Sequence, residues 1–163
     1  FFIGFPHLLF SYAVHLARIE IDELTGRIEV KDYLAATEAG RVMNPQAYEQ
    51  QVQGAVAQGI GYALHEEVLM MEGRVLNPGF AAYLIPGAPD VPEIVSLAVE
   101  TYEESGPYGM KGVGEVGING PLPSIANAAA DAGGLHITRA PLTAERILEA
   151  MTQAGKKSGG KRK

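Results

Sequence analysis

Hydrophobic and polar positions alternate in two consecutive stretches near the start of the chain. Over residues 8–22, Tyr12, Val14 and Leu16 alternate with Ala13, His15 and Ala17, and after Asp22-Glu-Leu-Thr-Gly26 the residues Ile28 and Val30 alternate with Arg27, Glu29 and Lys31. A period of two marks strands with one buried face. The intervening turn, with Gly26 suited to a positive φ, predicts an antiparallel hairpin. The period changes after Asn44-Pro45, which reads as a helix N-cap followed by proline at the first helical position. The spacing predicts a helix over 45–67 that buries Val52, Val56, Ile60, Ala63 and Leu64. Gly54, Gly59 and Gly61 lie inside it. Each costs about 1 kcal/mol relative to alanine in an exposed helix, so close approach by a neighbour or a ligand is expected there.

Beyond this helix the pattern is more broken. Short strands are expected at 68–71 and 74–76 around the turn Glu72-Gly73, with another strand near 80–85, a loop over 86–92 and a strand over 94–101. Residues 102–120 are glycine-rich and show no convincing period. A short helix is expected over 123–132, ending at Gly133-Gly134, then a strand over 135–138 and a last helix capped by Thr143 that runs to about residue 151. Strands and helices mix without a βαβ rhythm, which predicts an α+β fold of mostly antiparallel strands with packed helices.

Length and charge narrow this picture. The 163 residues suffice for one domain with a sizeable core. Five of the 13 basic residues fall in the last eight positions, leaving eight against 19 acidic residues in the body. Such a body disfavours nucleic acid and anionic membrane surfaces. Residues 1–155 are expected to form the domain and 156–163 a basic disordered tail. With no cysteine in the chain, it can form no disulfide and ligate neither a thiolate zinc site nor an iron–sulfur cluster. The most hydrophobic stretch, residues 1–10, is interrupted by Gly4, Pro6 and His7 and lacks a preceding basic segment. Neither a membrane span nor a signal peptide is expected from it.

The segment Gly106-Pro-Tyr-Gly-Met-Lys-Gly-Val-Gly-Glu-Val-Gly-Ile-Asn-Gly120 holds the most informative chemistry, with six glycines and a lone carboxylate, Glu115. Hemmed by Val113, Gly114, Val116 and Gly117, that carboxylate would be poorly solvated, and desolvation raises a carboxyl pKa towards the range of a general base. From spacing alone, a solvated glutamate on a surface loop is the plainer alternative. Gly112-Val-Gly114-Glu-Val-Gly117 also matches G-x-G-x-x-G. A dinucleotide site is nevertheless rejected: a turn sequence precedes it, Glu115 would repel a pyrophosphate, and Pro121 and Pro123 should break the helix that must follow. No Gly-Lys-Ser/Thr phosphate loop is present. His7, His15, His65 and His136 are scattered without the spacing of a zinc helix, and no serine sits in a nucleophile elbow.

Taken in order, several stretches resemble one family. They are Gly40-Arg-Val-Met-Asn-Pro45, then Gln51-Val-Gln-Gly-Ala-Val-Ala-Gln-Gly-Ile-Gly-Tyr-Ala-Leu-His-Glu-Glu67, then Tyr83-Leu-Ile-Pro86, the segment from Gly106 to Glu115, Pro123-Ser-Ile-Ala-Asn-Ala128 and Pro141-Leu-Thr-Ala-Glu145. Their order and spacing over residues 8–151 resemble the C-terminal part of the molybdenum-cofactor-binding subunit of the xanthine dehydrogenase and aldehyde oxidase family, the molybdenum hydroxylases. The resemblance implies a cytoplasmic oxidoreductase that hydroxylates an aldehyde or N-heteroaromatic carbon with oxygen from water. It implies Glu115 as the active-site base, and Gln51, Lys111, Gly112, Val113 and Gly114 at the molybdopterin cofactor, with no metal ligand from this chain. The cofactor would be shared with another molybdenum-domain chain, while iron–sulfur clusters and FAD would sit on partner subunits. Glu38-Ala39-Gly40 departs from the Asp and Gly or Cys common before the Gly-Arg pair, and Met110 stands where a small residue is usual. The family's earlier molybdenum-domain segments do not appear in the sequence, which implies a fragment or split subunit. A non-catalytic assembly or cofactor-chaperone relic of the same fold, and a solitary small-molecule-binding domain, are the alternatives.

Overall fold

The expected hairpin forms the spine of the structure, a computed structural model that describes residues 9–159, with side chains described through Ala154. Strand β1 (Tyr12–Ile21) pairs antiparallel with β2 (Ile28–Glu38), from Tyr12 opposite Glu38 to Ile21 opposite Ile28, with an irregularity between Arg18 and Ile19. Asp22 closes the turn by accepting the backbone N–H groups of Leu24 and Thr25. A minimal antiparallel hairpin follows further along, β3 (Met70–Met71) with β4 (Arg74–Val75). Strand β5 (Ile94–Ala98) then joins β2 in parallel, giving the sheet order β1-β2-β5.

Three helices complete the α+β fold: α1 (Pro45–Leu64), α2 (Pro121–Gly133) and α3 (Ala144–Gly159). Asn44 caps α1 by accepting the N–H of Ala47 at 3.0 Å, as the sequence predicts. The apolar stripe of α1 meets the inner face of the sheet. Val52, Val56, Ile60, Ala63 and Leu64 are all buried there, against Ile28, Val30, Tyr33 and Ala35 of β2, with Ile125 and Ala129 of α2 and Ile147 of α3 in the same core. Burying each large aliphatic side chain is worth roughly 1.5–3 kcal/mol. Tyr48 adds a polar tie across this layer, donating from its hydroxyl to the Thr37 carbonyl at 2.7 Å. The close approach expected of the helical glycines is seen at Gly59, where an added Cβ would lie 2.6 Å from Pro121 Cγ. Helices α1 and α2 can touch there because Gly59 carries no side chain.

Several elements differ from the sequence expectation. Helix α1 stops at Leu64 rather than residue 67, because the N–H groups of His65 and Glu66 both fold back onto the Gly61 carbonyl at 2.9 Å. Glu67 is then drawn to Arg146, at 2.9 Å, and Arg139, at 3.0 Å. The strand expected near 80–85 is a turn, with Ala82 and Tyr83 donating to the Gly79 carbonyl at 2.9 Å. The residues expected as a strand over 135–138 pair with no neighbour; Leu135 is buried and follows Gly134, which caps α2 in the left-handed conformation. Helix α2 starts at Pro121, so Pro121 and Pro123 open a helix instead of breaking one. Proline is tolerated in a first turn, where its missing N–H has no helical partner to lose. At the other end, α3 continues past Met151 to Gly159, while residues 160–163 of the expected tail lie outside the described residues.

Among the described residues, the sheet's other face carries no helix. Leu16, Leu34 and Val95 form one row across it and Val14, Ala36 and Leu97 the next. Val14, Leu16, Val95 and Leu97 are exposed, whereas His15, Ala17, Ile19 and Ile21 of β1 turn towards the helices. Among the described residues, no helix is long and apolar enough to cross a membrane.

Candidate active-site cleft

The glycine-rich segment has no period because it is not a regular element; backbone and buried side-chain contacts hold it instead. Gly40, at the end of β2, bridges to Met110, and an added Cβ on Gly40 would stand 2.6 Å from the Gly109 carbonyl and 2.7 Å from the Lys111 nitrogen. Its φ of +72° is a further reason for glycine at that position. Arg41 donates its N–H to the Gly109 carbonyl at 2.8 Å, and Lys111 donates its own to the Ala39 carbonyl at 2.9 Å. These bonds fix the entry to the segment.

Two further contacts hold its exposed middle. Ser11 Oγ donates to the Gly112 carbonyl at 2.9 Å, and Gln51 Nε2 reaches from α1 to the Gly114 carbonyl at 2.7 Å. Gly117 then packs against Val52 and Ala55 of α1. Between these anchors the segment presents Glu115 to a cleft of about 860 Å³, between β1 and α2, whose wall includes Ser11, His15, Asn119, Ser124, Asn127 and Asp131.

The sequence-derived site residues are neighbours in this geometry. Gln51, Gly112, Val113, Gly114 and Glu115 come together on one stretch of surface, with a second cleft, of about 340 Å³, running past Gln51, Met110 and Val113. Lys111 also lines this second cleft, while its ammonium is engaged within the chain. Its ammonium donates to Glu38 Oε2 at 2.8 Å and to the Phe10 carbonyl at 3.0 Å, and lies 5.8 Å from the centre of the Tyr12 ring. Glu115 is exposed, contrary to the poorly solvated carboxylate that its neighbours suggest in sequence. The cause is local: Gly112 and Gly114 are exposed and, among the described residues, have no atom within 4 Å of where a Cβ would be, so none of the described residues covers the carboxylate from that side.

The floor of the larger cleft is His15, backed by the buried Tyr33, and the sequence reading gave neither a role. His15 Nδ1 and Tyr33 Oη are 2.8 Å apart, with the rings edge to face at 5.7 Å. Burial lowers the His15 pKa and pushes the Tyr33 hydroxyl up to about 12, so both are neutral at pH 7. His15 Nε2 is buried without a hydrogen-bond partner among the described residues. The alternation of β1 and β2 places both side chains on one face, which was the available signal. Glu38 is the other residue the sequence reading left without a role. It accepts from Lys111, from Thr101 Oγ1 at 2.5 Å and from the Gly40 N–H at 2.8 Å. Burial by itself raises its pKa, but these three donors outweigh that effect and hold the carboxyl below its ordinary value.

Among the described residues, no three His, Cys, Asp or Glu side chains are grouped to hold a metal ion. The open backbone at residues 112–114 and the two adjoining clefts instead suit an organic cofactor approached by main-chain groups. An α+β layer that offers a glycine-lined backbone and the exposed carboxylates of Glu115 and Asp131 to a cleft suits a cofactor-binding domain.

Comparison with known proteins makes the assignment specific. Residues 2–92 match the family described as the molybdopterin cofactor-binding domain. A probable xanthine dehydrogenase subunit of Bacillus subtilis is 38% identical over 151 residues, 93% of this chain and 20% of that protein. The gamma subunit of the 6-hydroxypseudooxynicotine dehydrogenase complex of Paenarthrobacter nicotinovorans is 40% identical over 142 residues, 85% of this chain and 18% of that protein. Among solved structures, quinoline 2-oxidoreductase from Pseudomonas putida 86 matches with a TM-score of 0.80 and 34% identity, over 85% of this chain and 18% of that one. The chain belongs to the molybdopterin cofactor-binding domain family, within the xanthine dehydrogenase group of proteins. It spans about a fifth of the length of the curated relatives it matches.

Proposed function

We propose that the chain is the part of a molybdenum hydroxylase that supplies its active-site base, Glu115, and one wall of its cofactor site. The substrate class is an aldehyde or an N-heteroaromatic compound, hydroxylated at carbon with oxygen from water. When bound, the molybdenum cofactor supplies the two-electron oxidant. The observation that carries this reading is the placement of Glu115: a carboxylate on an anchored, glycine-rich segment, open to a cleft and one residue beyond the open backbone at 112–114.

In this reading the backbone at Gly112, Val113 and Gly114 holds the cofactor, and Gln51 positions that backbone from α1. Lys111 lines the second cleft beside them, and its ammonium, engaged by Glu38 and the Phe10 carbonyl, also anchors the segment. The Glu115 carboxylate takes the proton from the water-derived nucleophile. Cover from the cofactor, the substrate and the rest of the enzyme would exclude water from it. The neutral His15–Tyr33 floor adds no competing charge to the cleft. This sequence has no cysteine to ligate a cluster, so the iron–sulfur clusters, like the FAD, would be held by partner subunits, where they would accept the electrons.

The test separates the two roles within the complete enzyme. Gly114→Val is expected to lower molybdenum and pterin content, whereas Glu115→Gln is expected to leave both unchanged and to lower turnover. Equal cofactor content in Gly114→Val and parent would remove the cofactor role from this segment.

A further inference from the structure

We propose that the buried Glu38–Lys111 pair is the positioning device of the segment that carries Glu115. The proposal rests on the reading of Glu115 as the base for its catalytic consequence, though not for its structural one.

Both side chains of the pair are only 11% exposed. Burying two charges costs several kcal/mol per ion and is offset only by good geometry and complete hydrogen bonding. Here the geometry is complete. Glu38 Oε2 takes the Lys111 ammonium at 2.8 Å, and Oε1 takes the Gly40 N–H at 2.8 Å and the Thr101 hydroxyl at 2.5 Å. Lys111 donates a further hydrogen bond to the Phe10 carbonyl at 3.0 Å. One carboxylate thus joins the end of β2, the chain leaving β5 and the start of the glycine-rich segment, and its partner ties in the approach to β1.

The sheet ladder brings the first, second and fourth of these places together, with Tyr12 opposite Glu38 and Thr37 opposite Ala98, and the backbone bonds of Arg41 to Gly109 and Lys111 to Ala39 dock the segment on the end of β2; the ion pair is the buried side-chain tie that joins all four. The remaining ties on the segment's middle, Ser11 to Gly112 and Gln51 to Gly114, are single hydrogen bonds from neutral side chains at exposed positions. They are weaker than a charge-assisted pair shielded from water. Lys111 and Glu115 lie four positions apart, a reach of at most about 14 Å. Freedom at Lys111 therefore passes directly to the carboxylate. A misplacement of about 1 Å at a reacting group costs on the order of 100-fold in rate.

The experiment uses the complete, molybdenum-loaded enzyme with Glu38→Gln, Lys111→Met and Lys111→Arg, and reads amide hydrogen exchange over residues 106–117 alongside kcat, KM and metal content. The expected result is exchange about tenfold faster over 106–117 in the two charge-removing variants, and unchanged in α1. Metal content and KM should hold while kcat falls about tenfold or more, and Lys111→Arg should recover most of both effects. Where a single variant leaves a buried charge that prevents folding, the double variant Glu38→Gln with Lys111→Met removes both charges and carries the same expectation. Unchanged exchange over 106–117 in a folded variant overturns the proposal, as does faster exchange spread equally over α1. Glu115→Gln is measured in parallel. If it retains full turnover, the base assignment fails while the exchange data still decide whether the pair positions the segment.

Discussion

Gln51 donates to the carbonyl of Gly114 at 2.7 Å, so a side chain of α1 holds the residue immediately before Glu115. Gln51 thereby couples the position of the carboxylate to a helix whose inner face is locked into the core by Val52 and Val56. An exposed, neutral hydrogen bond of this kind contributes about 0.5–1.5 kcal/mol at most. Gln51→Ala should therefore leave the thermal midpoint nearly unchanged while quickening amide exchange at residues 112–116. Gln51→Glu, which sets a carboxylate against a carbonyl oxygen next to Glu115, should disturb the segment more. A Gln51→Ala variant with parental exchange at those amides would show the bond to be incidental.

Acid should act on Glu38 and His15 in the same direction. The donors around Glu38 depress its folded pKa, so its contribution to stability is present above the ordinary carboxyl range and is lost as pH falls through the depressed value. Glu103 is the neighbouring acidic group, itself held low by Ser105. His15, lowered by burial, likewise stabilises the fold above its unfolded pKa and costs stability as pH falls below it. The stability advantage of the parent over Glu38→Gln should be largest near neutrality and shrink towards acid in a pH series of denaturation curves. A difference that is constant with pH, or grows in acid, would contradict this sign. By NMR, the His15 imidazole should titrate below its ordinary 6.5.

Rows of Leu16, Leu34 and Val95 and of Val14, Ala36 and Leu97 leave an apolar sheet face open. A contiguous patch of this kind drives association when it is unpartnered. The isolated chain is expected to self-associate in light-scattering measurements at micromolar concentration, and Leu16→Lys combined with Val95→Lys should reduce that association. Equal association by the double variant would move the sticky surface elsewhere.

Periodicity alone revealed the β1–β2 hairpin, the N-terminus and buried stripe of α1, and the existence of α2 and α3, because each has one face in the core and one out. It missed where α1 stops, since that depends on Glu67 reaching Arg146, 79 positions away. It also misread 80–85, where apolar residues such as Phe80 and Leu84 are exposed in a turn rather than buried in a strand. The proline misreading at α2 came from treating proline as a helix breaker at a position where it can begin one. At the site, the glycines and the lone carboxylate were visible locally, but the pair that holds them was not. Glu38 and Lys111 lie 73 positions apart, and no local pattern connects them. The solvation of Glu115 was equally hidden, because it depends on glycines that leave space rather than on residues that fill it.

The central claim is that Glu115 is the base of a molybdenum hydroxylase, and the most direct measurement is kcat of Glu115→Gln in the complete enzyme at molybdenum content matched to the parent. An isosteric loss of the proton acceptor should lower kcat by about 10²–10⁴-fold with little change in KM. Full turnover by the metal-loaded variant would contradict the account.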